Sequence, residues 1–151
     1  MPKGSRRLPE RCLQLVAAAE AVIHAGDFFA VPMLEELRAL CPVVHAVHGN
    51  VDEEPLRRIL PVELEIEIGG RTLAVVHDAG PAKGRLARMR RRFPAAEAVV
   101  FGHSHLPLHE SEDGFQIFNP GSPTERRRAP RASMGLLTPR KTGLAFEHVW
   151  L

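Results

Sequence analysis

Five side chains of metal-binding type recur where apolar runs end: Asp27 in AVIHAGD, Asn50 in VVHAVHGN, His77 in LAVVHD, and His103 and His105 in AVVFGHSH. Asp and Asn bring oxygen donors and His an imidazole nitrogen, the donor types that hydrolytic divalent-metal sites use. Ligands of open α/β sheets sit in the crevice beyond the carboxyl ends of the strands. Four runs that each finish on Gly or such a side chain therefore point to one shared site. An H-x-H pair alone is weak evidence, because paired histidines often pack or cap. In extended backbone its rings would lie on one side roughly 6.5 Å apart, which suits two ions about 3.5 to 4 Å from each other.

Each of these residues also has a plainer use. Asp27 offers two oxygens and so could bridge two cations, or it could cap a helix or close a turn. Asn50 lies in HGNVD, where Gly-Asn is also ordinary turn chemistry. His77 ends a strongly apolar strand, where an unpaired ring would be costly, so a ligand role or a firm hydrogen bond is expected. His24 and His45, inside apolar runs, read as structural; His48 sits beside the site and could contact substrate; His109 and His148 read as incidental.

The elements that must position these donors follow from pattern. Residues 1–7, with Pro2 and Gly4, read as loop. A helix is predicted over 8–20, with Leu13, Val16 and Ala17 on one face, and a strand over 21–24. A second helix is predicted over 31–40, then a strand in PVVHAVHGN and a charged connection over 51–60 with a short helix after Pro55. VELEIEI alternates apolar and acidic residues in period two, Gly69-Gly70 suits a tight turn, and RTLAVVH returns as a hairpin. A helix over 81–93 and the strand before GHSH come next. Residues 115–118 lead to NPGS and an exposed basic loop, and strands over 132–137 and 144–151 flank the turn TPRKTG. Alternating helices and strands define an α/β fold.

The 151 residues suit one domain, 1–151, able to bury about two-thirds of its unfolded surface. A net charge of +2 with 25% charged residues favours no particular partner. Lys83, Arg85, Arg88, Arg90, Arg91 and Arg92 form a basic run that reads as a solvated helix face, with phosphate steering as the alternative. Arg126, Arg127, Arg128 and Arg131 follow NPGS closely enough to border a phosphate pocket. With no Tyr and a single Trp, the chain lacks the interleaved aromatics of a single-strand RNA binder. Cys12 and Cys41 match no C-x-x-C spacing and read as reduced packing residues. Glu20 interrupts the first apolar run too early for a signal peptide, and no run approaches the roughly 20 apolar residues of a membrane span. A cytoplasmic protein is expected.

In order and spacing, HAGD, HGNVD, VVHD, GHSHLP and NPGS resemble the calcineurin-like metallophosphoesterases, specifically their small bacterial and archaeal phosphodiesterase branch. The resemblance spans nearly the whole chain. It implies a two-sheet β-sandwich flanked by helices and a dinuclear site for divalent metal, manganese foremost, with nickel, iron or zinc as alternatives. By motif, Asp27 corresponds to the bridging carboxylate, Asn50, His77 and His103 to the other ligands of one metal, and His105 to a ligand of the second. His48, Asn119 and Ser122 are the expected substrate contacts. The implied activity is hydrolysis of a phosphate ester, as phosphodiesterase or phosphatase, by a hydroxide held between the metals. The alternative is a non-catalytic protein-interaction scaffold on the same fold, as in the retromer small subunit.

Three departures qualify this. The family's first motif, D-x-H at the end of the first strand, has no counterpart among residues 1–23, VVHD stands where HG is usual, and HGNVD lacks the histidine of GNHE. MPKGSRRLP resembles the loop that follows D-x-H, and the first predicted helix lacks the strand that would feed it. Either the start is miscalled and the first strand lies upstream, or the chain is a genuine truncation; on the first reading, DNA before Met1 should encode, in frame, roughly 10 residues of strand and motif. As it stands, the chain is expected to hold one ion, to hydrolyse slowly or not at all, and, with a sheet edge open, to self-associate. An in-frame stop directly before Met1, with no other start, would refute the upstream expectation.

Overall fold

Four apolar strands reach one end of the molecule, and the rest of the fold exists to keep them there. The computed structural model describes residues 7–151. Its elements are α1 (Glu10–Ala18), β1 (Val22–His24), α2 (Val31–Leu40), β2 (Val44–Ala46), α3 (Glu54–Ile59), β3 (Glu63–Ile68), β4 (Arg71–Val76), α4 (Arg85–Arg92), β5 (Ala98–Phe101), β6 (Leu108–Glu112), β7 (Phe115–Asn119), β8 (Ser133–Arg140) and β9 (Gly143–Trp150). The loop expected over residues 1–7 lies, apart from Arg7, outside the described residues.

One layer is a five-stranded sheet in the order β3-β4-β5-β7-β6, with β4, β5 and β7 parallel and the two edge strands antiparallel to their neighbours. The wholly apolar AVVF of β5 suits its central place, buried on both faces. The facing layer consists of two pairs, parallel β1-β2 and antiparallel β8-β9. Val47, Leu73, Val75, Ala98, Val100 and Leu144 form the core between the layers, with Ile23, Leu137 and Phe146 packed against it. On the outer face of the five-stranded sheet, Val76, Val99, Phe101 and Ile117 meet Met89 and Phe93 of the α4 segment. On the other side Cys12, Val16, Leu34, Leu37 and Leu56 of α1, α2 and α3 pack with Ala46, Val22 and Val44. The result is a two-sheet sandwich with helices on both outer faces. Each fully buried Leu, Val or Phe contributes on the order of 1.5–3 kcal/mol.

Where pattern was strong the elements fall as expected: α2 occupies residues 31–40, and the Gly69-Gly70 turn, with φ of 58° and 75°, joins β3 to β4. Helices α1 and α4 are shorter than the predicted 8–20 and 81–93, and two strands also differ. β6 was not anticipated, because LHESE is an exposed edge strand with almost no apolar signal. The last hairpin is longer than expected: β8 runs through Pro139 to Arg140, leaving a two-residue turn in place of TPRKTG. Pro139 is tolerated because, among the described residues, β8 has only β9 as a hydrogen-bonded neighbour.

Gly135 of β8 lets Phe118 approach: a Cβ there would lie 2.4 Å from Phe118 Cε1. Phe118 cannot yield, since Phe146 and His148 stack on it at 4.7 and 4.4 Å. Gly135→Ala should therefore lower unfolding stability by about 1–3 kcal/mol, read as a lower urea midpoint at unchanged slope. An unaltered midpoint would show that Phe118 does not fill this space.

Candidate metal centre

The parallel pairs β1-β2 and β4-β5 both point their carboxyl ends at one crevice. The loop after β1 carries Asp27, that after β2 carries Asn50, β4 delivers His77, and the loop after β5 carries His103 and His105. All five expected donors are brought together. His77 Nε2 lies 2.9 Å from Asn50 Oδ1 and 3.4 Å from Asp27 Oδ1. His103 Nδ1 lies 3.0 Å from Asn50 Oδ1 and 3.3 Å from His77 Nε2. His105 Nε2 faces the other carboxylate oxygen, Asp27 Oδ2, at 3.6 Å. Gly49 makes room for this arrangement: a Cβ there would sit 2.1 Å from Asp27 Oδ1.

The donor chemistry fits a divalent cation. His77 Nδ1 sits 2.7 Å from the carbonyl oxygen of Ala25, so its N–H is committed there and Nε2 presents a lone pair to the crevice. His105 is held the same way, with Nδ1 3.0 Å from the carbonyl oxygen of Glu125 and the Glu125 carboxylate at 3.6 Å. Lone pairs of Asp27, Asn50 and His77 thus converge, and positive charge between them is what such crowding needs. A proton could serve one contact; a cation could serve all. Donors about 2.1 Å from a common ion are about 3.0 to 3.4 Å from one another, the spacing seen here. Among the described residues no three His, Cys, Asp or Glu side chains form a site by themselves; it is the Asn50 amide oxygen that joins His77 to His103.

Electrostatics agree. Burial pushes the Asp27 carboxyl up, but the facing His105 and His77 rings and the Val51 N–H outweigh it and hold the pKa down at about 2. His24 behaves as the structural histidine expected: it stacks on Phe28, its Nδ1 accepts the Gly26 N–H, and desolvation pushes its pKa down to about 3.

The GHSH loop is not extended. His103 and His105 have φ of 62° and 59°, and Ser104 N–H donates to Gly102 O at 2.7 Å, so the rings reach the crevice from a tight turn and present different nitrogens. Asn119 and Ser122, expected at the substrate, lie underneath. Asn119 is 0% exposed, donates from Nδ2 to Gly102 O and Ser104 Oγ, and accepts the Gly121 N–H. Ser122 Oγ accepts the N–H groups of Thr124 and Glu125. His48 turns to the carbonyl of Gly49 at 3.4 Å, not to the donor cluster.

His148 is not incidental, since its Nε2–H donates to Asn119 O and ties β9 to this region. The α4 arginines are tethers: Arg85 and Arg88 donate to the carbonyls of Gly80, Ala79 and Pro81, and Arg90 and Arg92 reach Glu112 and Glu63. From the second basic run Arg127 donates to His103 O at 2.8 Å. Sequence reasoning missed Asp52, a buried carboxylate that accepts the backbone N–H groups of Asp27, Phe29 and Gly49. Its partners lie up to 25 residues away, so no local signal marks it.

A helix-flanked two-sheet sandwich with carboxylate, amide and imidazole donors at parallel strand ends defines an α/β protein built around a metal-competent crevice. Residues 4–142 match the Calcineurin-like phosphoesterase superfamily domain, and the chain belongs to that family. It is 28% identical over 134 residues to a probable metallophosphoesterase of Methanothermobacter thermautotrophicus, covering 84% of this chain and 74% of that protein. To the phosphodiesterase YfcE of Escherichia coli K12 it is 27% identical over 154 residues, covering 89% and 82%. Its fold resembles Vps29 of Entamoeba histolytica in complex with zinc, with a TM-score of 0.76 at 22% identity over 99% of this chain and 93% of that one.

Asn119→Leu tests the brace beneath the histidine loop. It keeps the branched shape but leaves the Gly121 N–H without its acceptor, a loss of about 1–3 kcal/mol, and removes the Nδ2 bonds to Gly102 O, which keeps the Ser104 N–H, and to Ser104 Oγ. The expected result is a thermal midpoint lowered by several degrees; an unchanged midpoint would mean that the loop holds its shape without Asn119.

Proposed function

We propose that the chain is a metal-dependent phosphoesterase acting on phosphate esters, as a phosphodiesterase or phosphatase, in the cytoplasm. The observation that carries this reading is the split use of Asp27. One carboxylate oxygen faces the Asn50, His77 and His103 group, and the other faces His105, as a carboxylate between two cation positions would. Asn50, His77 and His103 with Asp27 Oδ1 would hold one ion, and Asp27 Oδ2 with His105 would contribute to a second. Manganese is the first candidate, with nickel, iron or zinc as alternatives. Bound divalent cations supply positive charge against the phosphoryl oxygens and acidify water.

The protein's own part is to hold and orient. Ala25 and Glu125 carbonyls fix which nitrogens of His77 and His105 face the crevice, and the Asn119 brace fixes the loop that carries His103 and His105. Arg127, tied to the His103 carbonyl through one N–H, has further N–H groups for a substrate phosphate oxygen. A second reading, a non-catalytic interaction scaffold, is favoured by exposed apolar side chains on and beside α3: Val51, Ile59 and Val62 are 47%, 56% and 60% exposed. Among the described residues no helix is long and apolar enough to cross a membrane.

Calorimetric titration of the 151-residue chain with manganese, beside hydrolysis of bis(p-nitrophenyl) phosphate, separates the readings. His103→Ala should lose most of the cation affinity, by about 10- to 100-fold, whereas His105→Ala should change it little. Hydrolysis should cease with a chelator and return with manganese. Equal effects of the two substitutions would refute the split of donors. Cation binding without hydrolysis of this or any simple phosphate ester would favour the scaffold.

A further inference from the structure

Two turns meet at the centre of the crevice, and both are held by one side chain. Asp27 and Phe29 have φ of 65° and 81°, in the left-handed region that residues with a Cβ seldom adopt. Asp52, 3% exposed, takes the Phe29 N–H on Oδ1 at 2.5 Å, and the Asp27 and Gly49 N–H groups on Oδ2 at 3.2 and 2.7 Å. The two turns are also stitched in the reverse sense. Glu53 N–H donates to Phe29 O at 3.1 Å, and Val51 N–H donates to Asp27 Oδ1 at 3.4 Å. Arg57 closes the far side, with Nε on Asp52 O and Nη2 on Asn50 O at 2.9 and 2.7 Å.

We propose that Asp52 is a positioning residue: its buried carboxylate locks the Asp27 turn to the Gly49-Asn50 turn and so fixes the Asp27 and Asn50 oxygens at cation spacing before any cation binds. Asp52 acts here through the backbone, with its two oxygens directed at the N–H groups of both turns. The chemistry requires a carboxylate. An amide offers one acceptor oxygen, so in Asp52→Asn an NH2 group would face either the Phe29 N–H or the Asp27 and Gly49 N–H groups, and the bonds on that side would be lost. The inference rests on the metal-binding reading above, but the locking of the turns can be observed without metal.

Amide hydrogen exchange on the metal-free protein reads the lock directly. Phe29 and Gly49 lie outside helices and strands, yet in the unsubstituted chain their amides should exchange as slowly as those of β4. Fast exchange there, like that of exposed loops, would overturn the proposal without any variant. In Asp52→Asn at least one of the two amides should exchange at least about tenfold faster. Titration with cobalt(II), followed by visible absorption, should then show about 10- to 100-fold weaker binding.

Ile117→Val, a core substitution beneath α4, serves as the comparison for stability lost away from the crevice, and its cobalt affinity should equal that of the unsubstituted chain. Faster exchange with undiminished cobalt affinity would overturn the positioning role, as would a loss no larger than that of Ile117→Val. An unsubstituted chain that binds no cobalt, manganese or zinc would overturn the metal reading and positioning with it, recognisably so because the exchange result would stand.

Discussion

Three of the five donor residues, Asp27, His103 and His105, hold left-handed backbone, at a cost of about 1–2 kcal/mol each for residues with a Cβ. Such conformations persist only where the surroundings over-determine them. Here two fully enclosed polar side chains do so. Asp52 gathers three N–H groups around the Asp27 turn, and Asn119 anchors the GHSH loop through the Gly102 carbonyl and the Ser104 hydroxyl. The strain and its restraints together explain why neither residue faces solvent. Exposed, either would let water compete for the same donors and acceptors.

Charge is distributed to the same end. The carboxylate and imidazoles of the crevice sit where strand ends leave room, while the guanidinium groups of α4 satisfy carbonyls of the loop after β4 and pair with acids on neighbouring strands. Arg71 grips both oxygens of Glu97 and the carbonyl of Lys141, linking the five-stranded sheet to the β8-β9 turn. These cations are spent on holding loops and layers together. Arg127 differs, because its one backbone bond places it on the histidine loop itself.

The clustering of Asp27, Asn50, His77, His103 and His105 was legible because strand ends are punctuated: an apolar run followed by Gly or a polar residue shows in a single sequence, and parallel topology sends such ends the same way. The period-two pattern of β3 and the paired glycines after it were equally plain. The conformation of GHSH was not, since nothing in four residues says that His103 and His105 turn left-handed; that is imposed by Asn119, which lies 14 or more residues away in sequence. NPGS is expected at the substrate by resemblance; within the fold its Asn119 bonds Gly102 O, Ser104 Oγ and the Gly121 N–H, and its Ser122 takes the Thr124 and Glu125 N–H groups. Arg85 and Arg88 looked solvated because the carbonyls they satisfy belong to an irregular loop without periodicity.

The donors stand at positions 27, 50, 77, 103 and 105, each group from the end of a different strand, so no short segment carries more than a fragment of the crevice. Assembly must therefore wait for non-local pairing, which is the slow part of folding for mixed topologies. A cation would have little grip on the unfolded chain and would bias the equilibrium only once the sandwich has closed. By mass action, a cation at 100 times its dissociation constant would then add about 2.7 kcal/mol to the native state alone. Metal content would thus set how long the folded chain survives heat or protease, apart from any chemistry it performs.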